Sequence, residues 1–302
     1  MCDDCGQHQH DHADHHHDAG LEHRARPEEF RVVVTGKGGV GKTSLTALLA
    51  RLLARDAFRV LALDADPQMN LPYALGMAHD VARALVPLSH NPDYVEEKTG
   101  VRPGEGWGLF FRLNPDVADV VERFGVLAPD NVRLLVMGNT VQPAAGCLCP
   151  ENTLLAAVAN AVSLRRGEVI LLDTQAGIEH FGRALAQGFR HAVVVTDPTF
   201  NGVQVALQAA RLADALGIPA IHLVVNRVRG ERDVDRVNEI LAGEGVLSFT
   251  TQHWLPFEDA FGECEPDVGP LLGASHSSLI SAVSELRDTL LEVEAERWQH
   301  AS

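Results

Sequence analysis

The sequence predicts an α/β fold, a mostly parallel β-sheet flanked by helices. Short apolar runs rich in Val, Ile and Leu recur along the chain, and stretches with helical spacing lie between several of them. A Gly-rich segment, Gly36–Thr43, joins the first such run to the first such helix. Uninterrupted apolar runs, in place of alternating ones, are the pattern of strands covered on both faces.

The elements follow in order. Phe30–Thr35 is a β-branched run ending in the Gly-rich turn, hence a buried strand. Lys42–Arg55 carries Leu45, Leu48, Leu49 and Leu52 at helical spacing. Further strands are expected at Arg59–Asp64, Val132–Val136, Val169–Asp173, Ala192–Thr196 and Ile221–Asn226. Helices are expected near Thr153–Leu164, Val203–Leu216 and Val234–Ala242. The last, Ser277–Trp298, reads as an acidic amphipathic helix packed on the domain. No internal repeat occurs.

Composition narrows the function. A net charge of −16 argues against a nucleic-acid face and against an anionic membrane surface. No apolar stretch reaches the length of a membrane span, and the N-terminus lacks the basic flank and apolar core of a secretory signal. The expectation is a soluble, cytoplasmic protein. Cysteines in such a chain point to metal or redox chemistry more than to disulfides. Of 25 basic residues only Lys37, Lys42 and Lys98 are lysine, and two of these share one loop. That loop calls for a compact ammonium, which the planar guanidinium cannot replace.

Residues 36–43, GKGGVGKT, satisfy G-x-x-x-x-G-K-[ST] between a strand and a helix, the context that identifies a phosphate-binding P-loop. Backbone N–H groups of Gly36, Gly38, Gly39, Val40, Gly41 and Ser44, with the helix N-terminus, are expected to meet the phosphates. Lys42 is expected to hold the β- and γ-phosphates, and the Thr43 hydroxyl to ligate Mg²⁺. The strand Arg59–Asp64 ends in Asp64-Ala-Asp66-Pro67, with two carboxylates at the edge where such sheets place ligands. Val169–Asp173 ends in a carboxylate followed four residues later by Gly177. In this arrangement Asp173 is expected to hold Mg²⁺ through water and the Gly177 N–H to sense the γ-phosphate.

With Lys37 near its start, the loop resembles the deviant Walker A family, the MinD/ParA/nitrogenase-iron-protein type of dimeric ATPases. The resemblance implies a P-loop NTPase of that class in which Lys37 reaches the partner's nucleotide across a two-fold interface. It also implies that Asp66 orients the attacking water, with Asp64 near Mg²⁺, and that Asn226 reads adenine. Arg229 stands where a guanine reader would carry Asp, so the nucleotide is read as ATP.

Cys147-Leu-Cys149 is the second unusual feature. If extended, the two thiols share a face, and a two-fold interface would complete a four-sulfur site for Ni²⁺ or Zn²⁺. Two buried apolar cysteines are the plain alternative. Val95–Gly100, Leu113–Pro115, Val136–Gly138, Cys147–Asn152 and Ala176–His180 resemble the CooC family, nickel-insertion ATPases of carbon monoxide dehydrogenase. That resemblance spans about residues 30–260 and implies a homodimer whose nucleotide state opens and closes a four-cysteine metal site, with an apo-nickel enzyme as client. Gln175 and Arg227 depart from the family's expected residues, and Glu179 and His180 match its Glu-His pair.

Residues 1–27 form a biased, low-hydrophobicity segment expected to be disordered, with the ATPase domain spanning 28–302. Cys2, Cys5, His8, His10, His12, His15, His16 and His17 are candidate ligands for Ni²⁺ there. Met-Cys-x-x-Cys-Gly resembles the N-terminus of the HypB family of hydrogenase nickel GTPases, which carries a further Cys where Gln7 stands. Two other functions fit parts of the chain. A MinD/ParA-type positioning or partition ATPase shares the loop and Lys37 but explains neither the C-x-C pair nor the tail. A nickel store with a vestigial nucleotide site leaves the intact P-loop unexplained.

Overall fold

The computed structural model describes residues 30–102, 112, 114–138, 149–163, 167–175, 188–243, 248–274 and 277–301, with backbone alone at 149–152, 163 and 298–301. Its centre is an eight-stranded sheet in the order β3-β4-β2-β5-β1-β6-β7-β8. The strands are β1 (Phe30–Gly36), β2 (Val60–Ala65), β3 (Val126–Leu127), β4 (Arg133–Val136), β5 (Val169–Thr174), β6 (His191–Thr196), β7 (Ala220–Val228) and β8 (Thr251–Pro256). Every described pairing is parallel except β3 with β4. The sheet grows to either side of β1, so the turn after β1 sits at a topological switch point.

Why the strands read as unbroken apolar runs is plain from their packing. Alternate residues feed opposite layers. Val33, Leu61, Leu63, Ile170, Leu172, Ala192 and Val194 pack with Leu154, Val158, Val203, Leu207 and Val237 on one face. Val32, Val34, Val60, Ala62, Leu171, Val193 and Val195 pack on the other with Leu45, Leu48, Leu49, Val283, Leu286 and Leu290. The first face is covered by the helices Cys149–Ser163, Phe200–Ala215 and Glu231–Gly243. The second is covered by the helices Lys42–Arg55 and Ser278–Ala301.

The helix Lys42–Arg55 is fixed by more than its leucines. Arg51 is buried within it, and its Nε donates to Asp130 Oδ2 at 2.7 Å. Its Nη1 lies 3.3 Å from the Leu75 carbonyl and 3.4 Å from Asp267 Oδ1. One guanidinium thus ties the helix to three separate loops, a task its forked donors suit.

The structure differs from the sequence reading in a few places. β8 was not expected: its residues TQHWLP are mostly half-exposed, as an edge strand's are, so no continuous apolar run marks it. Several helices of four to eight residues, such as Leu71–Ala74 and Pro92–Thr99, are too short for a period to show. The helix expected at Thr153–Leu164 begins at Cys149. Cys149 therefore opens a helix instead of lying in extended backbone, and the shared-face argument for the two thiols does not hold for it. Cys147, Gly177, Glu179, His180 and every tail candidate lie outside the described residues. Among the described residues no helix is long and apolar enough to cross a membrane.

Leu49 is fully buried between the sheet and the C-terminal helix. Leu49→Ala should lower the unfolding free energy by about 3 kcal/mol, read as a shift of the urea midpoint without a change in slope.

Candidate nucleotide site at the carboxyl edge of the sheet

Parallel pairing brings the C-terminal ends of β1, β2, β5, β6 and β7 to one edge, where the sequence places its phosphate loop, its carboxylates and Asn226. Gly36 ends β1 with φ +140°, and a Cβ there would collide with the Val195 carbonyl of β6. Only glycine lets the loop leave the sheet so close to its neighbour. Gly41 precedes the helix in left-handed conformation, φ 97°, and a Cβ there would sit 2.5 Å from Asn226 Nδ2. Gly38 and Gly39 are exposed, with nothing near the position of a Cβ, so the crest of the loop faces open space. Val40 is buried and anchors the loop; Lys37, Thr43 and Ser44 are half-buried.

The loop is closed upon itself. Lys42 Nζ donates to the Lys37 carbonyl at 3.0 Å. Burial lowers the Lys42 pKa, opposed by the nearby Asp173 and Asp66 carboxylates. Asn226 is a clasp: Nδ2 donates to the Val40 carbonyl at 2.8 Å, while Oδ1 accepts from the Arg227 N–H at 2.9 Å. The clasp holds the end of β7 to the loop. Arg227 adopts φ 63°, a left-handed conformation rare for a side chain of its size, beside the irregular pairing of β7 with β8 between Val225 and Val228.

Asp64 and Asp173 face each other as register partners on β2 and β5, and both are fully buried. Asp173 Oδ2 accepts the Thr43 hydroxyl at 2.7 Å, with Thr46 Oγ1 3.5 Å from Oδ1. Burial raises the Asp173 pKa to about 7, although Thr43 and Lys42 oppose the rise. Asp64 accepts from the Asp66 N–H at 3.0 Å and the Leu71 N–H at 3.1 Å. Its pKa lies well above the usual carboxylate range, chiefly through burial and then through Asp173 opposite. Asp66 is more open and caps the turn by accepting from the Gln68 N–H at 2.9 Å.

This donor set fits Mg²⁺ and a polyphosphate. A hydroxyl and a carboxylate stand together beside a second buried carboxylate, a set of hard oxygen donors short of positive charge. An ammonium and a Gly-rich loop lie alongside. Among the described residues no group of three or more His, Cys, Asp or Glu could hold a metal ion, and the Cys147/Cys149 pair falls outside that statement.

Two features at this edge were missed in the sequence. Thr46, one turn after Thr43, faces the same carboxylate, and helical i, i+3 spacing could have shown it. Arg229 lies over the Phe257 ring, 4.1 Å from its centroid, and the Phe257 N–H donates to the Val228 carbonyl at 2.8 Å. This exposed pair stands just beyond Asn226 and depends on β8, which the sequence reading had not located.

A parallel sheet with a Gly-rich phosphate loop at its switch point and paired acidic strand ends defines a P-loop nucleotide-binding protein. The chain belongs to the CobQ/CobB/MinD/ParA nucleotide binding domain family, which matches residues 31–253. It is 36% identical over 230 residues to an uncharacterised ATP-binding protein of Methanocaldococcus jannaschii, covering 76% of this chain and 86% of that one. It is 39% identical over 205 residues to the carbon monoxide dehydrogenase accessory protein CooC of Rhodospirillum rubrum, covering 68% and 77%. In fold it resembles a ParA family ATPase from Chlorobium tepidum (TM-score 0.59, 18% identity, 86% and 98% covered). It likewise resembles the septum site-determining protein MinD of Pyrococcus horikoshii complexed with Mg-ADP (TM-score 0.57, 20% identity, 87% and 95% covered). The chain is thus an ATPase of this family.

The buried charge makes a prediction. An Asp whose folded pKa is about 7, against about 4 when unfolded, holds more protons folded than unfolded between those values. Its ionisation therefore destabilises the empty fold progressively from about pH 4 to about pH 7. Asp173→Asn should raise the melting temperature of the nucleotide-free protein, by most at pH 8 and by almost nothing at pH 4, while abolishing ATP turnover. Calorimetry across that range with an ATPase assay checks both.

Proposed function

We propose that this chain is an ATP-hydrolysing nickel metallochaperone that dimerises and delivers Ni²⁺ to an apo-metalloenzyme, carbon monoxide dehydrogenase being the leading client. The observation that carries the reading is the similarity to a carbon monoxide dehydrogenase accessory protein in a chain that also has Cys147 and Cys149. In this reading Ni²⁺ (or Zn²⁺) is cargo, held by the two cysteines from each of two protomers and collected by the Cys/His tail.

Residue roles follow the site's chemistry. Lys42 leaves the Lys37 carbonyl to meet the β- and γ-phosphates, a better partner for an ammonium than a neutral oxygen. Thr43 and Asp173, already joined at 2.7 Å, would hold Mg²⁺, Asp173 through water. Bound Mg²⁺ supplies positive charge at the β- and γ-phosphate oxygens. Asp66 orients the attacking water, and Lys37 acts across the two-fold interface. Asp64 fixes the turn that carries Asp66 through its two backbone acceptances. Backbone N–H groups from Gly36 to Ser44 cradle the phosphates, and Gly177 senses the γ-phosphate. Asn226 exchanges its loop carbonyl for the adenine edge, with the Arg229–Phe257 pair as a wall beside the base.

Lys42→Ala should lower ATP turnover at least about a hundredfold. Phe257→Ala should raise the KM for ATP several-fold with kcat little changed, since it removes a stacking surface and no reacting group. The deciding experiment is equilibrium dialysis of Ni²⁺ with the full chain, the chain lacking residues 1–27 and that shortened chain carrying Cys147→Ser/Cys149→Ser, each with and without a non-hydrolysable ATP analogue. One nickel per two shortened chains, altered by nucleotide and lost in the double variant, is the expected result. Unchanged nickel binding in that shortened double variant would reject the interface site. Tight co-sedimentation with lipid vesicles or DNA at physiological salt would turn the reading toward a positioning ATPase.

A further inference from the structure

At the opposite, amino-terminal edge of the sheet lies a buried polar chain that the nucleotide chemistry does not use. His191 begins β6, His222 lies on β7, Thr251 and His253 on β8, and Glu294 on the helix Ser278–Ala301. His191, His222 and Glu294 are fully buried. His191 Nε2 is 3.0 Å from Glu294 Oε2, and His191 Nδ1 is 3.0 Å from His222 Nε2. His222 Nδ1 is 2.7 Å from Thr251 Oγ1, which is 3.0 Å from His253 Nε2. The two inner rings stack at 5.3 Å, and Phe30 seals His191 at 5.0 Å.

One set of protons satisfies the whole chain. An ionised Glu294 only accepts, so His191 carries its proton on Nε2 and offers Nδ1 as acceptor. That forces Nε2–H on His222, then the Thr251 hydroxyl donating to His222 Nδ1, then Nε2–H on His253. Every imidazole is neutral and every internal donor and acceptor is used. Each ring nitrogen within the chain faces a different partner, so this is a line of hydrogen bonds and not a convergent metal site.

We propose that Glu294, His191, His222, Thr251 and His253 form a pH-sensitive latch that pins the C-terminal helix to β6, β7 and β8 while the imidazoles are neutral and releases it when they take up protons. A first added proton can enter at half-buried His253 and be accommodated by reversing each hydrogen bond, leaving the charge on His191 beside Glu294. A second finds no acceptor, because adjacent imidazoles would then both present N–H. The surroundings add little relief. Arg190 Nε is paired with Glu294 Oε1 at 3.3 Å, Arg297 stands near both inner rings, and among the described residues of the helix Glu285 is the carboxylate that acts on His253. Burial lowers the pKa of all three histidines, that of His222 to about 3. A detached imidazole binds protons below about pH 6.5, so acid favours the detached state.

Release would reach the nucleotide site through packing. Val283, Leu286 and Leu290 of the C-terminal helix share a core with Leu45, Leu48 and Leu49, and Arg287 bridges to Asp56 at 2.9 Å.

Amide hydrogen exchange of the full chain between pH 7.5 and 5.5, corrected for intrinsic rates, tests the latch. Residues 286–297 should lose about tenfold in protection while β1 and β5 keep theirs, the change expected for about one unit of linked protonation. In His253→Gln the same loss should require a lower pH. Imidazole nitrogen NMR at pH 7.5 should find all three rings protonated at Nε2. Constant helix protection, loss only together with β1 and β5, a variant curve superimposed on the parent, or an Nδ1–H ring would each overturn the proposal.

Discussion

The facing carboxylates of Asp64 and Asp173 are the constraint around which the nucleotide site is built. Neighbouring parallel strands put them opposite each other at full burial, where two negative charges are unfavourable in water-poor surroundings. The fold answers with hydrogen bonds from the Asp66 and Leu71 amides and the Thr43 hydroxyl, and with the Lys42 ammonium nearby. None of these cancels the burial cost, so both acids hold protons more tightly than exposed ones do. An empty site poised in this way favours a divalent cation over solvent.

The same economy appears in the loop above the acids. Lys42 on the Lys37 carbonyl and Asn226 on the Val40 carbonyl each satisfy a polar group that nucleotide binding would require elsewhere. Such bonds to neutral carbonyls keep the empty loop ordered. They are weaker than the charge-assisted bonds an ammonium makes to phosphate. In the proposed reading, Lys42 and Asn226 exchange these carbonyls for the nucleotide. The clasp also explains Gly41, since any side chain there would displace Asn226.

Much of this was legible in the sequence, for reasons specific to each element. β1, β2, β5 and β6 are covered on both faces and appear as uninterrupted apolar runs whose ends name the acids. The P-loop needs its glycines and lysine in fixed order, so Lys42, Thr43 and Asp173 could be placed in one site before any geometry was known. β8 escaped because an edge strand is only half covered, and the Arg229–Phe257 pair escaped with it. The histidine chain left no motif at all. His191, His222, His253 and Glu294 span more than a hundred residues and meet only because the sheet order sets β6, β7 and β8 side by side under the last helix. Cys149 is a different case: the shared-face argument is conditional on extended backbone, and Cys149 itself opens a helix.

The two ends of the sheet solve the same problem with opposite chemistry. At the carboxyl edge, buried acids are left short of positive charge, and that deficit is useful because a metal–nucleotide complex can fill it. At the amino edge, the buried groups are matched among themselves, donor to acceptor, with one carboxylate fixing the direction of the line. A matched line is strong while every member is satisfied and costly once a buried donor or acceptor is left without a partner. The helix Lys42–Arg55 starts at the first site and packs against the helix that closes the second. The two edges of the sheet therefore share one core.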